Sequence, residues 1–166
     1  MNIELRKVKY AAFASQETPC FSADVYIDGV KAGSVDNSGQ GGCNSYYPFS
    51  CEQALIEHAK TLPDVVSERL VDDDGKPFTY RPDADSVVGD LLDAFLSLKD
   101  LRTRLKRRIL WKDADGKRIF ETGVLDPARH AAILAAPESF AKNCQPGAIL
   151  NLMSEADALA AFRALV

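Results

Sequence analysis

The strongest constraint on the fold is an alternation closed by a turn. Phe21, Ala23, Val25 and Ile27 alternate with Ser22, Asp24, Tyr26 and Asp28, and the run ends on Asp28-Gly29. Period-two alternation marks a half-buried strand. Asp-Gly supplies the positive φ that a two-residue hairpin turn requires. Val30 and Ala32 continue the apolar face, which places Ile27 opposite Val30 and Val25 opposite Ala32. Upstream, residues 2–13 also alternate, with Ile3 and Leu5 in one phase and Val8, Tyr10 and Ala12 in the next. Such a change of phase is the mark of a bulge or a twist. The sequence thus predicts a three-stranded antiparallel meander over about residues 2–36.

The rest of the chain reads mainly as helix. Ser50 and Gln53 have the spacing of a capping box, and Pro63 closes that segment. Cys51, Leu55, His58 and Leu62 fall on one stripe, which places His58 at a core margin. Val71 to Tyr80 reads as a turn followed by a short strand. From about Ala84 to Arg104, the residues Val88, Leu91, Leu92, Phe95, Leu98, Leu101 and Leu105 keep helical spacing. A second hairpin is expected over about 108–122, turning at Asp113 to Gly116. Asp126-Pro127 is a helix start that should run to about Ala135. Pro146-Gly147 breaks the chain, and Ala148 to Leu150 reads as a short strand. Ser154 and Asp157 open a last helix that buries Leu159, Phe162 and Leu165. Strands in front and helices behind argue α+β rather than a βαβ alternation. With 166 residues, one domain over 1–166 is the expectation.

Composition narrows the class. Hydrophobic residues make up 46%, enough for a core without metal or disulfide staples. No apolar run approaches the roughly 18 residues a membrane helix needs. The opening string MNIELRKVKY carries no apolar segment of a secretory signal. A cytoplasmic protein is therefore expected, with Cys20, Cys43, Cys51 and Cys144 as free thiols. The cysteine and histidine spacings suit no metal site, and neither cofactor nor metal is expected. Asp72-Asp73-Asp74-Gly75 and Asp113-Ala114-Asp115-Gly116 miss calcium-loop spacing. They read as turns.

Three features could carry function. The first is the window Ser38 to Tyr47, in which Gly39, Gln40, Gly41, Gly42, Asn44, Tyr46 and Tyr47 are the expected partner-binding residues. Its glycines cost entropy, and two adjacent tyrosines cannot both enter a sheet's core, so folding alone does not call for this string. Phe49 is expected to pack on the first helical turn. The second is the basic run Lys99 to Arg118, with nine cations against three acids, a net +6 that leaves −10 for the rest of the chain. Within it Arg102, Arg104, Lys106, Arg107, Arg108 and Lys112 would contact nucleic acid or an acidic partner, with Trp111 stacking on a base. Part of this charge is the solvated face of a helix whose leucines turn inward. The third is a thiol. Cys51 near a helix N-terminus is expected to have a lowered pKa, and pairs such as Cys51 with His58, or Cys43 with His130, would be formed only in space. No nucleophile, metalloprotease or nucleotide-binding fingerprint is present, and the reading leans away from an enzyme.

The strings ETPCFSADVYIDGVKAGSV with GQGG, LRTRLKRRILW, and PGAILN resemble an uncharacterised family of small cytosolic proteins of bacterial genomes and mobile elements, phages and plasmids among them. No activity is established for that family, so no catalytic residue carries over. The resemblance implies an accessory role, an inhibitor or a host-interaction factor. Together these readings favour a non-enzymatic binding protein whose macromolecular partner is protein rather than nucleic acid. The alternatives are a nucleic-acid binder using residues 99–118 and a thiol-dependent enzyme.

Overall fold

The computed structural model describes residues 1–71, 73–144 and 146–165. The chain divides into two compact units, Met1–Leu92 and Asp93–Val166. The architecture is α+β throughout.

The first unit is built on a four-stranded antiparallel sheet, β1 (Ile3–Tyr10), β2 (Phe21–Ile27), β3 (Val30–Asn37) and β4 (Ser45–Tyr47), in that spatial order. The predicted meander forms, and β4 adds a fourth strand. The phase change in β1 is a bulge between Arg6 and Lys9, with Lys7 at φ 52°. Asp28 takes the positive φ expected of its turn, at 48°, and Ile27 faces Val30. Val25 faces Gly33 rather than Ala32, because the register shifts between Val25 and Tyr26 and leaves Ala32 as the extra residue. A second departure follows Tyr10. The strand stops there, and Ala12–Ala14 form a 3-10 turn that turns Phe13 outward. Phe21, Ala23, Val25 and Val35 are the buried face of the sheet.

Helix α1 (Phe49–Ala59) buries Cys51, Leu55 and Ala59. Its start differs from the expected capping box. Pro48 occupies the N-cap with φ −70° and ψ 170°, no side chain caps the turn, and Ser50 lies inside the helix. Proline's fixed φ already suits the transition from β4 into the helix, so a serine cap is not needed. His58 is half-buried, as the stripe implied. A two-stranded hairpin follows, β5 (Val65–Val71) and β6 (Pro77–Tyr80). Asp72 lies outside the described residues. Helix α2 (Ala84–Leu105) is capped by Asp83, whose carboxylate accepts from the Ser86 amide at 2.8 Å and the Ser86 hydroxyl at 2.7 Å. These bonds hold the Asp83 carboxyl below the usual range.

In the second unit a three-stranded sheet places β7 (Leu110–Lys112) between β8 (Ile119–Glu121) and β9 (Ala148–Ile149). The hairpin after the long helix is the predicted one. Its turn is closed by the Asp113 carboxylate, which accepts from the Lys117 and Arg118 amides at 2.7 and 3.1 Å. The described aspartates of this string thus serve a turn. Helix α3 (Pro127–Ala135) starts where predicted, with Asp126 accepting from the Arg129 amide at 2.9 Å. Helix α4 (Pro137–Cys144) had no counterpart in the sequence reading. The last helix, α5 (Glu155–Leu165), opens on Ser154, whose hydroxyl oxygen accepts from the Asp157 amide at 3.1 Å. Leu101, Leu110, Leu150, Ala158 and Phe162 form one core. The Asn151 side chain accepts from the Leu110 amide at 2.9 Å and donates to the Leu105 and Arg108 carbonyls at 3.2 and 2.9 Å. It thereby ties the end of α2 to the start of β7.

Candidate functional site

At the end of the first sheet two loops lock together around one buried amide. Asn37 continues the inward parity of Gly33 and Val35 and is only 8% exposed. A buried amide is costly unless every hydrogen bond is made, and here they are. Its oxygen accepts from the Thr18 hydroxyl at 2.7 Å and the Gly39 amide at 2.9 Å. Its nitrogen donates to the Gly42 carbonyl at 3.3 Å and the Asn44 side-chain oxygen at 3.1 Å. The Gly39 carbonyl in turn accepts from the Gln16 and Glu17 amides at 2.9 and 3.1 Å. Gly39 has φ 83°, and a Cβ there would run into the Ala14 carbonyl oxygen. Folding therefore does require glycine at this position, which corrects the expectation that the string serves binding alone.

The two tyrosines part company by strand parity. Tyr46 pairs across β3 with Val35 and is half-buried. Its hydroxyl donates to the Asp85 carboxylate at 2.6 Å, and the other Asp85 oxygen accepts from the Asn44 amide at 3.2 Å. Burial, and then the bond to Asp85, push the Tyr46 phenol well above its ordinary pKa. Tyr47 pairs with Ser34 and is 78% exposed. Beyond the cis Tyr47-Pro48 bond, Phe49 is 67% exposed. This is a correction, since Phe49 was expected to pack on the helix. The buried positions of the helix are Cys51, Leu55 and Ala59, so Phe49 falls on its solvent side. Phe13 is the most exposed aromatic of the three at 93%.

Of the seven residues expected here, Gly39, Gly41, Gly42, Asn44 and Tyr46 bond into the network, Gly41 through its amide to the Thr18 hydroxyl at 3.3 Å and Gly42 through its carbonyl although it is exposed, while Gln40 and Tyr47 face solvent. The sequence reading missed Thr18, Asn37, Asp85 and Phe13. Only Asn37 carried a local signal, a polar side chain at an inward strand position.

The basic run is less free than its count implies. Arg102 holds Glu155 through two bonds of 2.7 Å. Arg104 bridges Asp100 at 3.0 Å and Glu121 at 3.2 Å, and Arg108 also pairs with Glu121. Among the described residues Lys99, Lys106, Arg107, Lys112, Lys117 and Arg118 have no acidic side chain within 4.0 Å. Trp111 is half-buried, stacked on Phe120 at 5.8 Å between centroids and meeting Phe140 edge-on at 5.1 Å. Its ring is committed to the protein on two sides.

The thiol expectation is overturned for Cys51. It is 1% exposed, and burial pushes the thiol up rather than down. Desolvation disfavours the charged thiolate. Cys43 is exposed, and all four thiols are free. The His130 Nε2 lies 3.2 Å from the Arg108 carbonyl oxygen. Among the described residues no group of three or more His, Cys, Asp or Glu is arranged to hold a metal, and no helix is long and apolar enough to cross a membrane. No family model, curated protein or solved structure matches this chain.

Proposed function

We propose that this chain is a non-enzymatic binding protein that docks on a protein partner through Tyr47, Pro48 and Phe49. One observation carries the reading. Two large aromatic side chains stand in solvent, on backbone whose neighbours are fixed by Asn37 and Asp85. Rings held this way lose little freedom on binding, and aromatic anchors dominate interface energetics. Each ring fully buried at a partner would contribute about 1.5–3 kcal/mol. Exposed Gln40, Gly42 and Cys43 supply a polar border. An accessory or inhibitory role of the kind mobile elements carry agrees with such a surface.

The raised Cys51 thiol removes the physical ground for the thiol-enzyme alternative at that residue. For the nucleic-acid alternative, six cations of the run, Lys99, Lys106, Arg107, Lys112, Lys117 and Arg118, are left without an ion pair among the described residues, and Trp111 offers little ring face for stacking.

The test is affinity capture from a bacterial lysate, with and without nuclease, by the wild-type chain and by Tyr47→Ala/Phe49→Ala. Surface changes of this kind alter stability by about 0.5 kcal/mol or less, so an unchanged melting curve is expected. Capture that resists nuclease and is lost in the double variant is the expected result. Unimpaired capture by the variant refutes the proposal, and nuclease-sensitive capture transfers the case to the basic run.

A further inference from the structure

The second half of α2 carries a face that its own unit does not use. Leu101 is buried and Leu105 packs beside it against the core of Leu110, Leu150, Ala158 and Phe162. Around the helix from these, Phe95, Leu98, Lys99, Arg102, Thr103 and Lys106 line a shallow groove of ≈ 370 Å³. Residues spaced by three, four and seven along a helix share one side, so this is a continuous stripe. Its floor is apolar, with Phe95 37% exposed and Leu98 half-buried. Its rim is basic.

The charges nearby sharpen this. Arg102 is held by Glu155, which fixes one wall of the groove and neutralises it. Lys99 and Lys106, one on either side of Arg102 in the sequence, have no ion-pair partner among the described residues. The acids of the same helix segment are engaged elsewhere, Asp100 with Arg104 and Asp93 with Arg163. The groove therefore presents two uncompensated cations flanking aromatic and aliphatic surface.

We propose that this groove receives an acidic amphipathic helix from a partner protein, a second docking surface independent of the Tyr47 corner. Leucine or phenylalanine side chains of that helix cover Phe95 and Leu98, and its glutamates or aspartates meet Lys99 and Lys106. Helix-in-groove recognition places anchors at this spacing. A phosphate backbone would pair with the lysines equally well but would leave the apolar floor uncovered, which favours the peptide.

The probe is a fluorescein-labelled helical peptide of about 20 residues, about two turns longer than the groove needs, with leucines on one face and glutamates on the others. Binding is read by anisotropy, beside a control peptide with lysine for glutamate and a single-stranded DNA of similar length. Saturable binding of the acidic peptide is expected, about tenfold weaker for Lys99→Glu/Lys106→Glu and about fivefold weaker for Phe95→Ala. Salt at about 0.3 M should weaken it severalfold, as expected for screened exposed charges. All three side chains reach solvent, and circular dichroism is the check that the variants fold. The proposal is overturned by no saturable binding, by equal binding of the basic peptide, by affinity unchanged in the lysine variant, or by tighter binding of the DNA.

Discussion

Removing one oxygen atom from Tyr46 should loosen the first unit, although its neighbour Tyr47 tolerates far more. In Tyr46→Phe the 2.6 Å bond to Asp85 disappears and the ring stays. Hydrogen bonds to charged groups contribute about 1.5–3 kcal/mol. Tyr46 is half-buried, so solvent replaces part of the bond and the low end applies, about 1.5 kcal/mol. For a chain of this length that corresponds to a fall in Tm of about 3–6 °C. Urea titration followed by circular dichroism gives the free energy directly. A cycle with Asp85→Ala isolates the pair, with a coupling of about 1 kcal/mol expected. The reaction to pH has a definite sign. The folded phenol sits above its usual pKa, whereas in the unfolded chain it ionises near about 10. Below that pH both states keep the proton and the contribution is complete. Above it only the unfolded chain ionises, so stability falls by up to about 1.4 kcal/mol per pH unit. Tyr46→Phe should lack this alkaline component. A coupling below about 0.5 kcal/mol, or an alkaline profile identical in the variant, would refute the argument.

Gly39→Ala should cost about 1–3 kcal/mol, because φ 83° and the Ala14 carbonyl both oppose a Cβ, and urea unfolding measures it. Thiol labelling near neutral pH should separate the cysteines, with exposed Cys43 reacting promptly and buried Cys51 only on unfolding. Labelling of Cys51 in the folded protein at the rate of Cys43 would contradict its burial, and peptide mapping by mass spectrometry distinguishes the two.

What the sequence disclosed was governed by neighbours in the chain. The β2–β3 hairpin was legible because alternation and the Asp28-Gly29 turn both act within a few residues. The same holds for the bulge at Lys7, the Asp126-Pro127 start of α3 and the Ser154 start of α5. Misreadings came where two local signals competed. Ser50 and Gln53 had the spacing of a cap, but Pro48 fixed the helix start first. Other features depended on contacts that local pattern does not encode. Thr18 meets Asn37 across 19 positions and Tyr46 meets Asp85 across 39. Thr18 and Asp85 are not marked by their own surroundings in sequence.

The glycine window shows how the two kinds of information combine. Strand parity already required that Tyr46 and Tyr47 face opposite ways. Which of them turned inward depended on the pairing of β4 with β3, where Val35 takes Tyr46 and Ser34 takes Tyr47. Once Tyr46 is inward, its hydroxyl needs an acceptor, and Asp85 meets that need while also binding the Asn44 amide. Gly39, Asn44 and Tyr46 are thereby explained by folding and cease to be evidence for a ligand. Tyr47 and Phe49 gain as evidence for the same reason. The frame around them is complete without their rings, so their exposure is not explained by any packing the first unit requires.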